Sequence, residues 1–179
     1  MSRAEQLVTA EGLQKLPHDD YRYELVAGRV IRMSPVDWLH GATVACFIAR
    51  LRPDVEAAQL GQVVTEVGFI LARDPDTVRA PDLAFVRRDR IPSRRGFFQG
   101  PPDLAVEVLS VDDRPAEVRV KVDEYLTHGV PLVLVLDPDE KTVQIFRRWA
   151  APVTVGTDDE LDVSDVISGF RCPVREIFG

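Results

Sequence analysis

Four ionisable side chains that lie in or beside apolar segments are the strongest candidates for chemistry in this sequence. Glu107 interrupts the run 104–109, which is otherwise apolar, and Asp82 opens a second β-rich run. Glu24 lies in an early β-rich segment, and Lys121 lies in a later segment with helical spacing. Because an unpaired carboxylate is costly to bury, Glu107 should either have a partner or reach a cleft.

Two acidic oxygen donors and a lysine are a combination that suits a divalent cation and a phosphate. Hard ions such as Mg²⁺ take carboxylate, carbonyl and water oxygens as ligands. Such an ion can polarise a phosphoryl oxygen and lower the pKa of a bound water, and a nearby lysine can orient that water or offset charge in the transition state. The side-chain types of Asp82, Glu107 and Lys121 are therefore those of metal-dependent phosphodiester cleavage.

Each of these residues also has a purely structural interpretation. A carboxylate at the start of a strand, such as Asp82, is common, and Glu107 could form a structural ion pair. Taken alone, Lys121 is typical of a solvated helix residue. Glu24 could instead form a salt bridge within its own hairpin, with Arg22 or Arg29. Residue type and spacing leave these alternatives open.

Composition and charge limit the classes of protein that this chain can be. The chain has 179 residues, of which 45% are hydrophobic and 28% charged, so it can bury a sizeable core. Its net charge of -7 argues against a protein that coats nucleic acid through bulk positive charge. No apolar run approaches the ~20 residues of a membrane span, and the N-terminus has no apolar export signal. Cys46 and Cys172 fit no metal or redox spacing, so we expect reduced thiols and a cytoplasmic protein.

Turn residues and periodicity predict the elements that precede residue 90. Two alternating runs, 22–26 and 29–33, flank Ala27-Gly28 and predict a β-hairpin. Apolar residues at helical spacing over 38–51 predict a helix that Pro53 bends or ends. Near the start of that helix, His40 is more typical of a capping or packing residue than of a ligand. Short β-rich runs follow at 62–65, 67–71 and 82–86.

The next stretch of the chain predicts a strand, a helix and a second strand. The runs 103–110 and 132–136 are almost continuously apolar, which is typical of strands buried on both faces. Between them, 115–128 has helical spacing, with Pro115 in its first turn and Gly129 as its stop. Such a strand–helix–strand unit predicts two parallel neighbouring strands.

These elements together predict a mixed α/β fold in a single domain over residues 1–179. We expect a central sheet that carries the two parallel strands, with antiparallel hairpins at its periphery. Side chains alternate along a strand, so Glu107 should share one face with Ala105 and Leu109, while Val106 and Val108 point the other way.

The candidate residues recur within a pattern that resembles a known family. The chain carries the following motifs in order: YELVAGRV at 23–30, MSP at 33–35, PDLAFV at 81–86, LAVEVLS at 104–110, LDP at 136–138 and GF at 169–170. His40, Lys121 and Tyr125 stand between them. In order and spacing this resembles the Uma-type family of restriction-endonuclease-like proteins, which is common in bacteria. The resemblance covers nearly the whole chain.

The resemblance implies the PD-(D/E)XK nuclease fold, a mixed sheet with flanking helices and one edge where metal ligands meet. Pro81-Asp82 then corresponds to the PD element, Glu107 to the second acid and Glu24 to an early acidic position. The superfamily pattern places a lysine two residues after the second acid, where this sequence has Leu109. In this family the helix lysine, here Lys121, takes over that role.

The function that the resemblance implies is an endonuclease, dependent on Mg²⁺ or Mn²⁺, that hydrolyses phosphodiester bonds of nucleic acid, with DNA as the expected substrate. Asp82, Glu107 and the carbonyl of Val108 would bind the metal. Lys121 would orient or activate water, and Glu24 would assist through metal-bound water. His40 would line the cleft that binds substrate.

Two other expectations accompany this one. A homodimer is expected, because nucleases of this size often use two sites to cut two strands and C₂ pairing is the commonest oligomeric state. The alternative function is a catalytically inactive module on the same fold that binds nucleic acid or protein, which the displaced lysine and the net charge favour. A structural dimer whose acids only form ion pairs is a third possibility.

Overall fold

The computed structural model describes residues 7–16, 21–93 and 95–179. Its first elements are α1 (Ala10–Leu13), β1 (Arg22–Val26), β2 (Arg29–Met33), α2 (Trp38–Ala57), β3 (Gly61–Val64), β4 (Phe69–Ala72), β5 (Thr77–Arg79) and β6 (Leu83–Arg87). The later elements are β7 (Phe98–Gln99), β8 (Leu104–Val108), α3 (Pro115–Thr127), β9 (Leu132–Asp137), β10 (Thr142–Arg147), β11 (Val153–Val155), β12 (Glu160–Asp162) and β13 (Arg171–Pro173). The prediction that the N-terminus has no export signal concerns residues 1–6, which lie outside the described residues.

A six-stranded mixed sheet forms the centre of the fold, in the order β11-β10-β9-β8-β6-β3. Strand β8 pairs in parallel with β9, from Leu104 opposite Leu132 to Val108 opposite Leu136. On its other side β8 pairs antiparallel with β6. The predicted parallel unit is thus confirmed, with α3 as its connecting helix.

The alternation predicted for β8 is also confirmed. Val106 and Val108 pack with α2 in one apolar cluster, whereas Ala105 packs with Val122 and Tyr125 of α3 in a second cluster. Helices therefore cover both faces of the sheet, and Glu107 lies on the face that α3 covers. Burial of each large apolar side chain contributes about 1.5–3 kcal/mol to such packing.

Helix α2 departs from its predicted end. It continues through Pro53 to Ala57, so of the two effects predicted for Pro53, the one that ends the helix is wrong. A proline inside a helix removes one hydrogen bond and costs about 3 kcal/mol. Phe47, Leu51 and Val55 recur every four residues and are all buried, so the packing of the last turn offsets this cost.

A second sheet, in the order β2-β1-β5-β4-β7, was not predicted. The hairpin β1–β2 has the predicted bounds, and positive φ angles at Ala27 and Gly28 form its turn. It belongs to this second sheet, because β1 pairs with the short strand β5 through Leu25 and Val78. Strand β5 leads directly into the segment before β6, so this pairing brings the hairpin close to Asp82.

None of the helices in the described part of the chain is long and apolar enough to cross a membrane. Cys46 and Cys172 are free thiols. The single domain expected over residues 1–179 stays a prediction.

Candidate active site

Glu107 lies in the middle of the central sheet and has two partners on α3. It is 8% exposed. Its Oε2 accepts a hydrogen bond from Lys121 Nζ at 2.6 Å, and its Oε1 accepts one from the Tyr125 hydroxyl at 2.7 Å. Residues 121 and 125 are one helical turn apart, so a single face of α3 supplies both donors. The ion pair that was one interpretation of Glu107 is therefore formed.

The electrostatic environment of Glu107 opposes its ionisation. Burial raises its pKa to about 7, the negative charges of Asp82 and Glu24 act in the same direction, and Lys121 acts against them. Glu107 is thus an acid whose charge depends on the cations around it.

Lys121 bridges two buried carboxylates. Its Nζ lies 2.6 Å from Glu107 and 3.5 Å from Oε1 of Glu24, and its side chain is only 16% exposed. Burial alone would lower the pKa of Lys121, but the charges of Glu107 and Glu24 outweigh burial and raise it. The interpretation of Lys121 as a solvated helix residue is wrong, because α3 turns this face onto the sheet.

Asp82 directly precedes β6, and three contacts hold it, the longest being 3.7 Å from its Oδ1 to Arg22 Nη1. Its Oδ2 accepts a hydrogen bond from the Val108 N–H at 2.8 Å and lies 3.0 Å from Nε2 of His40. Extending the register of β6 and β8 places Asp82 opposite Glu107. Burial would raise the pKa of Asp82, but the contacts with His40 and Val108, together with the charge of Lys121, lower it.

His40 approaches Asp82 from the first turn of α2. The Asp37 side chain caps this helix by accepting a hydrogen bond from the His40 N–H at 2.9 Å. The cap fixes the backbone of His40, while its side chain is buried against Asp82. Its Nδ1 is buried without a hydrogen-bond partner among the described residues. His40 is therefore part of the polar cluster, and its role in binding substrate stays a prediction.

Glu24 enters the cluster from the second sheet. Its Oε2 accepts a hydrogen bond from Arg79 Nη1 at 2.7 Å, and its Oε1 accepts one from the Ala80 N–H at 2.9 Å. Burial opposes ionisation of Glu24, but the charges of Lys121 and Arg79 outweigh it and lower the pKa. Arg22, one of the two partners considered for Glu24, instead lies 3.1 Å from Glu66.

Two members of the site were missed as functional candidates. Arg79 bridges Glu24 and Glu124 from β5, and Tyr125 holds Glu107. A signal for Tyr125 was present, because it follows Lys121 by four residues on a predicted helix. Arg79 lies three residues before Asp82, but its contact with Glu24 follows from a strand pairing that local pattern did not show.

The structure thus brings all the predicted site residues into one buried cluster. Glu24, Asp82 and Glu107 come from three different strands or their ends, Lys121 comes from α3 and His40 from α2. Val108 contributes its backbone N–H, which donates a hydrogen bond to Asp82. The catalytic and metal-binding roles of these residues stay predictions.

Comparisons with known proteins identify the family. The family model Uma2, described as "Putative restriction endonuclease", matches residues 10–175. The chain belongs to the Uma2 family. Its description supports a nuclease-like role, and no curated protein matches the chain.

A solved structure with the same fold is that of a "putative nuclease belonging to DUF820" from Anabaena variabilis ATCC 29413. It matches with a TM-score of 0.84 and 22% identity, over 96% of this Uma2 chain and 97% of its own. The restriction-endonuclease-like fold is thereby confirmed. A cryo-EM structure of a DrdV–DNA complex matches 76% of this chain and 13% of its own, with 13% identity and a TM-score of 0.38.

The oxygen atoms of this Uma2 site fit a hard divalent cation. Within the described ranges, no three His, Cys, Asp or Glu side chains are grouped as a metal centre. Mg²⁺ nevertheless often takes only one or two protein carboxylates and completes its shell with water and substrate oxygens. Asp82, Glu107 and the carbonyl of Val108 would supply such a set.

The charges of the cluster are also compatible with a bound cation. Four carboxylates are linked by contacts to three permanent cations; the acids are Glu24, Asp82, Glu107 and Glu124, and the cations are Arg22, Arg79 and Lys121. Burying such an excess of negative charge is costly unless further positive charge is present. The donor set is therefore compatible with Mg²⁺ or Mn²⁺.

Proposed function

We propose that this protein is a metal-dependent endonuclease that hydrolyses phosphodiester bonds of DNA. The observation that carries the proposal is the buried contact of Lys121 with Glu107, beside Asp82 on the neighbouring strand. Two carboxylates and an ammonium brought together from separate elements are the groups that this chemistry requires. Membership of the Uma2 family supports the same class of reaction.

Lys121 has the clearest role in the proposed reaction. Its ammonium stays charged because Glu107 and Glu24 raise its pKa. A fixed positive charge in a site with little water stabilises negative charge that develops on phosphate oxygens, and it can orient the attacking water. Glu24 and Glu107 hold the ammonium from two sides.

Asp82 and Glu107 would hold the metal ion together with the Val108 carbonyl. When bound, the ion supplies Lewis acidity at the phosphoryl oxygen. The contacts of Asp82 Oδ2 with the Val108 N–H and with His40 fix the orientation of this carboxylate. His40 therefore acts on Asp82, in addition to its predicted place in the cleft.

The test is cleavage of plasmid, linear duplex, single-stranded DNA and RNA by purified protein at low salt with EDTA, Mg²⁺ or Mn²⁺. We expect metal-dependent cleavage of DNA that Asp82→Asn and Glu107→Gln both abolish. Glu56→Gln is the matched control, since this acid is 59% exposed and lies in the last turns of α2. Its cleavage rate should equal that of the unmodified protein.

Binding of Mn²⁺, followed by calorimetry, separates the outcomes. Loss of Mn²⁺ binding in Glu107→Gln, with an unchanged circular dichroism spectrum, supports the metal site. A folded protein that neither binds Mn²⁺ nor cuts any substrate contradicts the proposal and favours the inactive binding module.

We further propose that the protein acts as a homodimer, since cleavage of both strands of a duplex calls for two sites. Light scattering at micromolar concentration should give twice the 20.0 kDa mass of the chain. A monomer that still linearises plasmid would contradict this.

A further inference from the structure

A groove of about 280 Å³ lies between the start of α2 and the loops that follow β8 and β9. We call it the Trp38 groove. Its apolar lining consists of Trp38, Leu39, Leu109, Val111 and Pro138. This volume is just below the ~300–1,000 Å³ of small-molecule sites, so the groove has room for one small ring system.

The Trp38 groove is continuous with the site along the chain in two places. Trp38 precedes His40 by two residues on α2, and Leu109 follows Glu107 by two residues after β8. A ligand in the groove and a group at the carboxylates would therefore be neighbours.

Trp38 presents its ring to solvent, which is unusual for so large an apolar side chain. It is 89% exposed, and Val111 across the groove is 80% exposed. The second tryptophan, Trp149, is 90% exposed, but the Arg148 guanidinium covers its ring at 4.9 Å. Trp38 has no comparable ring or cation contact among the described residues.

Two carboxylates flank this apolar surface and decide what it can hold. Asp37 and Asp139 line the groove, and their negative charge disfavours a phosphate there. Carboxylates accept hydrogen bonds from the exocyclic amino groups of bases. A flat apolar ring with amino groups at its edge, which is a nucleobase, matches both features.

We propose that the Trp38 groove binds an unpaired nucleobase of the DNA strand, stacked on Trp38, next to the phosphate that is cleaved. This inference rests on the proposed nuclease function and names the kind of substrate. A base within a duplex already stacks on both faces, so only a base in a single strand, a frayed end or a flipped position can offer a face to Trp38. Stacking itself tolerates any base, so any preference among bases would come from Asp37 and Asp139 and would favour bases with an amino group.

The chain contains two tryptophans, which makes a direct test possible. Trp149→Phe leaves Trp38 as the only indole, and Trp38→Phe leaves Trp149. Fluorescence is measured in EDTA, so that no cleavage occurs, while one short oligodeoxynucleotide is added as a single strand, as a blunt duplex or as an abasic single strand. Anisotropy of a labelled oligonucleotide reports binding independently of tryptophan.

We expect the single strand to quench Trp38 in Trp149→Phe, and the duplex and abasic strands to quench it little. Trp149 in Trp38→Phe should show no such response. Trp38→Ala should weaken single-strand binding about 5- to 150-fold, whereas Trp38→Phe should retain most of the affinity. Because Trp38 is exposed, thermal unfolding should confirm that both variants fold.

Equal quenching by the abasic and normal strands, or unchanged affinity in Trp38→Ala, overturns the inference. Quenching by a partner protein but not by DNA would also overturn it. The cleavage assay judges the nuclease proposal separately. DNA cleavage without a Trp38 response rejects only the groove assignment. Base-dependent quenching without cleavage rejects the nuclease, and with it the placement of the base beside a cleaved phosphate, but keeps the groove as a site that binds a base.

Discussion

Replacing Lys121 with methionine removes the ammonium that lies between Glu107 and Glu24. Methionine keeps a similar length and volume, so the change is mainly one of charge. The side chains of Lys121 and Glu107 are 16% and 10% exposed, which leaves little solvent to screen the carboxylate. We expect Lys121→Met to lower the free energy of unfolding by about 3–5 kcal/mol at pH 8, the usual cost of breaking a buried ion pair.

The loss of unfolding free energy in Lys121→Met should be larger at high pH than at low pH. The folded-state pKa of Glu107 is raised to about 7 from an ordinary value of 4.5, and loss of Lys121 raises it further. Between these values the folded protein binds more protons than the unfolded chain, so stability from this group falls as pH rises. Glu107 is protonated in both proteins near pH 5.5, so the penalty of Lys121→Met should be smaller there. Above pH 7 it should grow by up to about 1.4 kcal/mol per pH unit, because only the unmodified protein releases the Glu107 proton there.

Urea unfolding at the two pH values measures these free energies. Arg52→Met is the matched control, because Arg52 and Glu56 also approach to 2.6 Å but are 61% and 59% exposed. It should cost less than about 1 kcal/mol at either pH. The double variant Lys121→Met/Glu107→Gln removes both charges and should recover much of the loss.

Two results would refute this reasoning. One is a cost for Lys121→Met no larger than that for Arg52→Met. The other is the same cost at both pH values and in the Glu107→Gln background. Either would mean that the Glu107 carboxylate is solvated.

Two further changes test the support around the cluster. Arg79→Met should destabilise the protein by about 3 kcal/mol or more near neutral pH, because Glu24 loses a buried partner. Urea unfolding should show a smaller loss of stability when Arg79→Met is made in a Glu24→Gln background. Gly61→Ala should strongly destabilise the protein, since an added Cβ would lie 2.1 Å from the Val86 carbonyl oxygen. Gly41→Ala should instead stabilise α2 by up to ~1 kcal/mol, because no atom lies within 4 Å of the added Cβ. Comparable melting temperatures for the two variants would contradict this.

The sequence could predict the part of the site that depends on local periodicity. Alternation along β8 assigns Glu107 to one face, and helical spacing with Gly129 at the end defines α3. Gly129 has a positive φ of 95°, a backbone conformation that favours glycine, so a glycine at this position could predict the end of the helix. A parallel pair of strands must then carry α3 over one face of the sheet, which brings Lys121 above Glu107.

The part that could not be predicted depends on long-range pairing and burial. Strand β5 has only three residues, too few for a periodic pattern, yet its pairing with β1 places Arg79 beside Glu24. The continuation of α2 through Pro53 depends on the burial of Val55. The solvated interpretation of Lys121 failed for the same reason, because it treated the residue apart from the surface it covers.

The position of the lysine gives the site its particular dependence on α3. A lysine two residues after Glu107 would share its strand face, and its place would be fixed by β8 alone. Here Leu109 occupies that position and lines the Trp38 groove, while the ammonium comes from a helix. The position of the Lys121 ammonium therefore depends on the packing of Val122 and Tyr125, which are both fully buried. The Tyr125 hydroxyl also donates a hydrogen bond to Glu107. A change that shifts α3 should thus move Lys121 and alter both hydrogen bonds of Glu107 together, while the contacts of Asp82 with Val108 and His40 stay in place.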